Sequence, residues 1–264
     1  CMSLDLFKKI LTEIRSVYQP WELNDISFAT YNEPNLDDSF KEKLQIMTSM
    51  GFVYEHISNG SMITTDLTDF LIQYPQNIKQ FRLNIPTLDE KKWKDITGSA
   101  VSVLYRMFYQ LEYLFSRASL LNFPITVIVN GDGGEDHKME FQKVYQKFAH
   151  FKGINLSMTG LIDRAGTLEG AECETQKLPT GAIDWGDQPL RCNAGYFDNL
   201  YFGIKGNVFY CCHDYHQDYS CGNIHETPLK DLLNSDSYHK QKQRFMHDFC
   251  RKCEQARPLQ TVNS

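Results

Sequence analysis

The sequence predicts an α/β fold of parallel strands joined by crossover helices, followed by a small cysteine-rich domain. Over the first 160 residues, apolar runs of strand length alternate with longer segments of helical periodicity. After residue 190 the pattern changes to short aromatic strands and turns, and seven of the eight cysteines lie after residue 170. In a chain that is neither small nor visibly secreted, such clustered cysteines indicate metal or redox chemistry rather than disulfides.

The elements of the α/β domain follow one another through short loops. Ser3 is expected to cap the first helix, in which Asp5 favours the positive end of the helix dipole. Because the strands alternate with helices, they are expected to be parallel, and their number is short of the eight of a closed barrel. Helical periodicity covers residues 3–17, 38–50, 65–74, 100–121 and 135–149, and strand-like runs cover residues 26–30, 52–57, 81–85, 124–129 and 154–158.

Composition and charge exclude several classes of function. The chain has 27 Lys and Arg against 33 Asp and Glu, a formal net charge of −6, and the two signs are mixed along its length. The concentrated basic surface that nucleic-acid binding requires is therefore not expected. No stretch approaches the roughly 20 apolar residues of a membrane span, and no secretion signal opens the chain. We expect a cytoplasmic protein without nucleic-acid or membrane partners.

Polar residues follow several of the predicted strands, where the chemistry of such folds collects. Pro34 holds Glu33 extended, so that the Glu33 carboxylate can face the mouth of the fold and accept hydrogen bonds from an ammonium group. Asn59 and Asn84 lie at or near strand ends, and Gly131 belongs to a glycine-rich loop that a ligand could approach closely. Since Asn, Gly and Pro also make ordinary turns, a purely structural role stays open for each loop.

Four cysteines have the spacing of a single metal or cluster site. Two residues separate Cys250 from Cys253, and the intervening turn presents both sulfurs on the same side. A hairpin turning near Gly206 can bring Cys192 and Cys211 together. Four thiolates suit zinc or an iron-sulfur cluster, and spacing alone does not separate them. A mixed Cys/His zinc site also stays open, because five histidines fall in the same region: His213, His216, His225, His239 and His247.

These residues resemble a known family. The C-terminal pattern closely resembles the cluster domain of radical S-adenosylmethionine (SAM) enzymes, which exists as a longer SPASM form and a shorter twitch form. The longer form continues with two more cysteines where this sequence has Leu259 and Asn263, so the resemblance is to twitch. Residues 32–34 resemble the GEP motif of the family, and residues 58–60 its TNG motif. The pattern consists of Cys192, Gly206-Asn207-Val208-Phe209-Tyr210-Cys211, Gly222-Asn223-Ile224 and Cys250-x2-Cys253.

The resemblance implies a fold and a domain division. Residues 1–160 would form a partial (β/α)6-type TIM-like barrel, residues 161–190 a linker, and residues 191–264 a small α+β SPASM/twitch domain. That domain would hold one auxiliary 4Fe-4S cluster through Cys192, Cys211, Cys250 and Cys253, with Cys211 chosen over Cys212 because it completes Gly-x4-Cys. Cys173 and Cys221 are expected to be ordinary thiols.

The resemblance also implies an activity. The intact enzyme would reduce a second 4Fe-4S cluster, with flavodoxin or ferredoxin as electron donor, and cleave SAM. The resulting 5′-deoxyadenosyl radical would abstract hydrogen from a small-molecule or peptide substrate, as in a dehydrogenase or a peptide or natural-product maturase. Glu33, Asn59, Asn84 and Gly131 would contact SAM. No catalytic residue is assigned.

One departure from the family concerns the reactive cluster. That cluster is bound by a CxxxCxxC motif after the first strand, and no such motif occurs here. Cys1 stands where the third cysteine of the motif would precede the following helix, or it is only a leading residue. We expect the sequence to be part of a longer protein. The alternative is a non-catalytic zinc- or iron-sulfur-binding protein with a degenerate barrel.

Overall fold

A computed structural model describes residues 1–19, 26–28, 33–160, 189–195, 199–253 and 255–259. Two compact units are distinguished by their internal contacts. The α/β unit comprises the described residues from 26 to 160, and the C-terminal unit combines residues 1–19 with the described residues from 189 onward. The predicted linker lies almost entirely outside the described residues, and the predicted domain boundaries stay a prediction.

Helix α1 (Leu4–Val17) begins the chain, and its contacts place it in the C-terminal unit. Ser3 caps it as expected, because the Ser3 side chain accepts a hydrogen bond from Leu6 N at 3.2 Å. Near its other end, Glu13 Oε2 accepts a hydrogen bond from Leu229 N at 2.9 Å. This bond satisfies a backbone donor at the start of a later helix of the same unit.

The α/β unit is a five-stranded sheet in which each strand pairs in parallel with the next along the chain. This arrangement is a partial TIM-like barrel, and the predicted fold class is confirmed. The strands are β1 (Ile26–Ser27), β2 (Tyr54–Ser58), β3 (Ile78–Asn84), β4 (Ile125–Gly131) and β5 (Ile154–Gly160). The helices are α2 (Phe40–Ser49), α3 (Thr65–Gln73), α4 (Glu90–Thr97), α5 (Val101–Phe115) and α6 (Glu135–Phe148).

Helix α4 is an element that the periodicity argument missed. Asp89 caps it by accepting a hydrogen bond from Lys92 N at 3.0 Å, and Gly98 ends it in the left-handed region at φ 66°. Its single buried residue is Trp93, so eight residues carry too little apolar periodicity to reveal the helix. The capping aspartate and the terminal glycine are the signals that would have found it.

The two faces of the sheet differ in polarity. Side chains alternate along each strand, and the face toward the helices is apolar and buried. The other face, here called the polar face, carries Glu55, Gln80, Arg82 and Asn84 at neighbouring positions of β2 and β3. Arg82 forms an ion pair with Glu55, and Gln80 Nε2 donates to Thr126 Oγ1 at 2.7 Å.

The C-terminal unit contains two small antiparallel sheets. The hairpin expected at Gly206 joins Tyr201–Phe202 to Asn207–Phe209, and Gly206 turns it with φ 84°. The short strands Leu190–Cys192, Ser220–Asn223 and Ala256–Pro258 were not predicted. The strands are β6 (Leu190–Cys192), β7 (Tyr201–Phe202), β8 (Asn207–Phe209), β9 (Ser220–Asn223) and β10 (Ala256–Pro258), and the helices are α7 (Leu229–Leu233) and α8 (Asp236–Asp248).

Helix α8 packs on this unit through aromatic side chains. Phe245 is fully buried, and its ring stacks on Phe249 with the centroids 4.7 Å apart. The Tyr210 hydroxyl donates to the Tyr238 carbonyl at 2.9 Å, so the strand end that precedes Cys211 is joined to the helix that precedes Cys250. Aromatic packing therefore brings together two cysteine-bearing segments that are far apart in sequence.

Candidate metal centre

The four predicted cysteine ligands line one cavity in the C-terminal unit. Cys192 ends β6, Cys211 follows β8, and Cys250 and Cys253 flank a short 3-10 turn after α8. The space between the lining atoms, including the part that is open to solvent, is about 400 Å³. Its other lining residues are Leu190, Arg191, His213, Met246, Phe249, Gln255 and Ala256.

Backbone hydrogen bonds determine the positions of Cys192, Cys250 and Cys253. Strand β6 pairs antiparallel with β10, and Cys192 stands opposite Ala256, three residues after Cys253. Within the 3-10 turn, Cys253 N donates to the Cys250 carbonyl at 3.1 Å, which holds the two cysteines on the same side of the turn. The two-residue spacing therefore has the geometric consequence expected from the sequence.

Cys211 and Cys253 are buried, Cys192 and Cys250 are half-buried, and neighbouring thiols disfavour one another's ionisation. Burial first, and then the neighbouring Cys253 and Cys192, raise the pKa of Cys250 to about 12. The pKa of Cys211 is also raised, first by a hydrogen bond with Cys212 and then by burial. Four thiolates in this cavity are consequently unfavourable unless a positively charged centre binds them.

Hydrogen-bond donors surround two of the sulfurs. His213 N lies 3.4 Å from Cys211 Sγ, and Gln255 N lies 3.4 Å from Cys253 Sγ. His213 Nδ1 lies 3.5 Å from the same Cys253 Sγ. Hydrogen bonds to the sulfurs are a property of iron-sulfur sites, so the donor set fits a thiolate-bound cluster.

The thiols surround the cavity rather than converge on one point. Within the described residues, no three His, Cys, Asp or Glu side chains stand close enough together to hold a single metal ion. A 4Fe-4S cluster is bound by four cysteine thiolates around a larger inorganic body. The number of cysteines that line the cavity fits such a cluster.

The other cysteines lie elsewhere. Cys221 is buried, and its thiol donates to the Val208 carbonyl at 3.1 Å. Cys212 is half-buried and does not line the cavity, and Cys1 is exposed at the start of the chain. Cys173 lies outside the described residues. Of the five histidines in this region, His213 lines the cavity.

Two of the predicted SAM-contact residues are joined at the carboxyl ends of β1 and β2. Glu33 Oε2 accepts a hydrogen bond from Asn59 N at 2.7 Å, and Glu33 Oε1 accepts from Ser58 Oγ at 2.8 Å. Burial raises the pKa of Glu33, although these hydrogen bonds oppose the rise. Glu33 Oε1 also accepts from Asn35 N at 3.2 Å, so at least three of the roughly four acceptor positions of the carboxylate are filled by neighbouring residues of the chain.

The other two predicted contacts, Asn84 and Gly131, lie on opposite faces of the sheet. Asn84 ends β3 on the polar face and is half-buried. Gly131 ends β4 on the helix side, where a Cβ atom would lie 2.4 Å from the ring of His137. The missing side chain of Gly131 is therefore required by His137 of the protein itself, and the structure does not bring Gly131 to the polar face.

Sequence reasoning missed three features of these regions. Ser58 was read only as part of a turn, yet its hydroxyl connects Glu33, Asn35 and Gly60. The ion pair of Arg82 with Glu55 was not predicted, although charged residues alternating with apolar ones along β2 and β3 are its signal. His213 was considered only as one of five histidines, and nothing local in the sequence distinguishes it.

One protein family matches the segment that contains all four cavity cysteines. It is the SPASM family, described as an iron-sulfur cluster-binding domain, and the match covers residues 192–254. The segment that carries the cavity cysteines is therefore similar to a SPASM domain. Among curated protein sequences, none is significantly similar to this chain.

Solved structures of radical SAM enzymes share the fold of the chain. BtrN in complex with AdoMet and 2-DOIA is 17% identical with a TM-score of 0.51, over 98% of this chain and 81% of BtrN. SuiB of Streptococcus suis bound to the precursor peptide SuiA is 11% identical with a TM-score of 0.57, over 89% of this chain and 58% of SuiB. The enzyme anSMEcpe with AdoMet and the Kp18Cys peptide is 13% identical with a TM-score of 0.54, over 96% of this chain and 78% of anSMEcpe.

In the described part of the chain, no helix is long and apolar enough to cross a membrane.

Proposed function

We propose that the chain belongs to a radical SAM oxidoreductase whose SPASM domain holds one auxiliary 4Fe-4S cluster, as in the twitch form. The observation that carries this proposal is the cavity lined by Cys192, Cys211, Cys250 and Cys253. When bound, SAM and its iron-sulfur cluster supply a 5′-deoxyadenosyl radical that abstracts hydrogen from substrate. The residues of this chain bind and orient the reacting groups.

Glu33, Asn59 and Asn84 are the residues that we assign to SAM. They lie at or after the carboxyl ends of β1, β2 and β3, the edge of a parallel sheet where ligands bind. The Glu33 carboxylate would accept hydrogen bonds from the methionine ammonium, and the amides of Asn59 and Asn84 suit polar atoms of the nucleoside. The bound AdoMet of BtrN and anSMEcpe supports a SAM site in a chain of this fold.

The substrate class follows from the polar face and from the relatives. The ion pair of Arg82 with Glu55 and the Gln80 amide suit a polar molecule or a peptide backbone rather than an apolar one. BtrN binds 2-DOIA, and SuiB binds its precursor peptide, so dehydrogenation of a small molecule and peptide maturation are the two reaction classes that we propose. Flavodoxin or ferredoxin is the proposed electron donor, and the cytoplasm the proposed location.

Metal content tests the cluster. After anaerobic reconstitution, we expect brown protein with about four irons and as many sulfides per chain. The C250A variant should lose this iron, whereas the matched control C221S should keep it, because Cys221 bonds to a carbonyl outside the cavity. Colourless protein with one zinc and no sulfide would refute the cluster and support the alternative metal-binding protein.

The choice between the two adjacent cysteines has its own test. C211A should lose the cluster and C212A should retain it, because Cys211 lines the cavity and Cys212 does not. Iron retained in C211A but lost in C212A would assign the ligand to Cys212.

Product analysis tests the radical chemistry. Reduced, cluster-loaded protein with SAM should release 5′-deoxyadenosine and methionine. If protein with all its clusters releases neither, the chain is a cluster-binding protein without radical chemistry.

A further inference from the structure

We propose that His213 is a positioning residue of the cluster site, whose ring donates a hydrogen bond to the Cys253 thiolate and thereby raises the reduction potential of the auxiliary cluster. This inference rests on the proposed function, since it presupposes that the SPASM domain binds a 4Fe-4S cluster. It concerns a residue outside the ligand set.

His213 contacts two of the four ligand cysteines. Its backbone N lies 3.4 Å from Cys211 Sγ, and its ring Nδ1 lies 3.5 Å from Cys253 Sγ. The two cysteines are more than 40 residues apart in sequence, so one residue connects the β8 side of the cavity with the side formed by the 3-10 turn. His213 is 2% exposed, and water therefore does not compete for these contacts.

The turn after His213 is fixed by the neighbouring side chain. Asp214 is also 2% exposed, and its two carboxylate oxygens accept hydrogen bonds from Asp218 N at 3.0 Å and Tyr219 N at 2.9 Å. Because this turn cannot rearrange without breaking these two hydrogen bonds, the backbone next to His213 is held in place before a cluster binds.

The chemistry of the sulfur decides which partner donates. A cysteine that binds iron is a thiolate, which has no hydrogen to donate and can only accept. In the cluster-bound protein, His213 Nδ1 must therefore carry the hydrogen. A reduced cluster has one more negative charge than an oxidised one, so the N–H···S bond is stronger in the reduced form. A donor to the sulfur consequently favours reduction, and its removal lowers the potential.

Two substitutions separate the hydrogen bond from the volume of the ring. In H213L the donor is lost, whereas in H213N an amide nitrogen takes the place of Nδ1. The backbone contact with Cys211 stays in both variants. His225 is exposed in the same domain and does not line the cavity, so H225L is the matched control. The midpoint potential of the reconstituted cluster is measured by redox titration followed by electron paramagnetic resonance, with iron content measured in parallel.

We expect H213L to lower the equilibrium constant for reduction about tenfold, which is about 59 mV for one electron. H213N should stay near the wild-type potential, H225L should equal it, and iron content should not change. An unchanged potential in iron-loaded H213L would overturn the proposal, as would an H213N potential as low as that of H213L.

A second measurement on the wild-type protein covers the case in which H213L loses its cluster. Histidine labelled with 15N in the ring only should give a 15N hyperfine coupling in the reduced cluster, and no such coupling would contradict the hydrogen bond. These results are distinguishable from failure of the proposed function, because protein that binds zinc contains no cluster to titrate.

Discussion

The buried histidine of β2 makes folding stability depend on pH in a defined direction. His56 is 2% exposed, and its ring lies against Phe40 and Phe81, with centroids 4.9 Å and 4.3 Å away. Among the described residues, neither ring nitrogen has a hydrogen-bond partner. Burial therefore lowers the pKa of His56 from 6.5 to about 3. The folded protein keeps this ring neutral at pH values where the unfolded chain protonates it.

The sign and size of the effect follow from proton linkage. Below pH 6.5 the unfolded chain binds a proton at His56 that the folded chain does not bind, so the free energy of unfolding falls as the pH falls toward 3. A pH of 5.0 lies about 1.5 units below the pKa of 6.5 in the unfolded chain. At about 1.36 kcal/mol per unit, the free energy of unfolding is therefore lower by about 2 kcal/mol. This value depends only on the unfolded pKa, provided that the folded pKa lies below about 4.

Urea denaturation at pH 7.5 and pH 5.0 checks this result in wild type, in H56L and in H150L, a control at an exposed histidine. H56L should be within about 1 kcal/mol of wild type at pH 7.5, because leucine has a similar volume and removes two unpaired buried nitrogens. Between the two pH values, wild type and H150L should each lose about 2 kcal/mol more than H56L. The reasoning is refuted if all three proteins lose equal stability.

Two further substitutions test contacts within the α/β unit. G131A should destabilise the fold by about 1–3 kcal/mol because its Cβ meets the His137 ring, whereas G160A, with no described atom within 4 Å of its Cβ, should change stability little. E140Q should cost about 2 kcal/mol because the buried Glu140 carboxylate accepts bonds from two lysines, whereas E135Q removes an exposed pair on the same helix and should cost under about 0.5 kcal/mol. Denaturation midpoints of all four variants decide both comparisons.

The parallel sheet could be predicted because its strands bury residues at fixed periods. Phe81 and Leu83 of β3 are fully buried, and the apolar run of β4 follows the same rule. Strands β6 and β10 have three residues each and are stabilised by pairing with each other across more than 60 positions. A strand of three residues is too short to show an alternating hydrophobic pattern, so it is recognised only from its pairing in the structure.

The candidate site also contains residues that the sequence predicts and contacts that it does not predict. The four cysteines could be predicted because a thiolate ligand set requires particular residues at particular spacings. The contact of His213 with Cys253 could not, because the distance between them depends on how the turn at Asp214 and the turn after α8 fold. The structural role of Gly131 could not be predicted for a related reason, since the sequence shows a missing side chain but not the His137 ring that requires it.

The two faces of the α/β sheet carry different kinds of side chain. A parallel sheet that is covered on both sides has strands that are apolar throughout, and the interior of a closed eight-stranded barrel is filled by branched apolar side chains. Here Phe81 and Leu83 face the helices, while Gln80, Arg82 and Asn84 alternate with them on the polar face. An ion pair and two amides in one region do not form a packed apolar core. They indicate a face that contacts water and a polar ligand, which is where the proposed function requires SAM and substrate to bind.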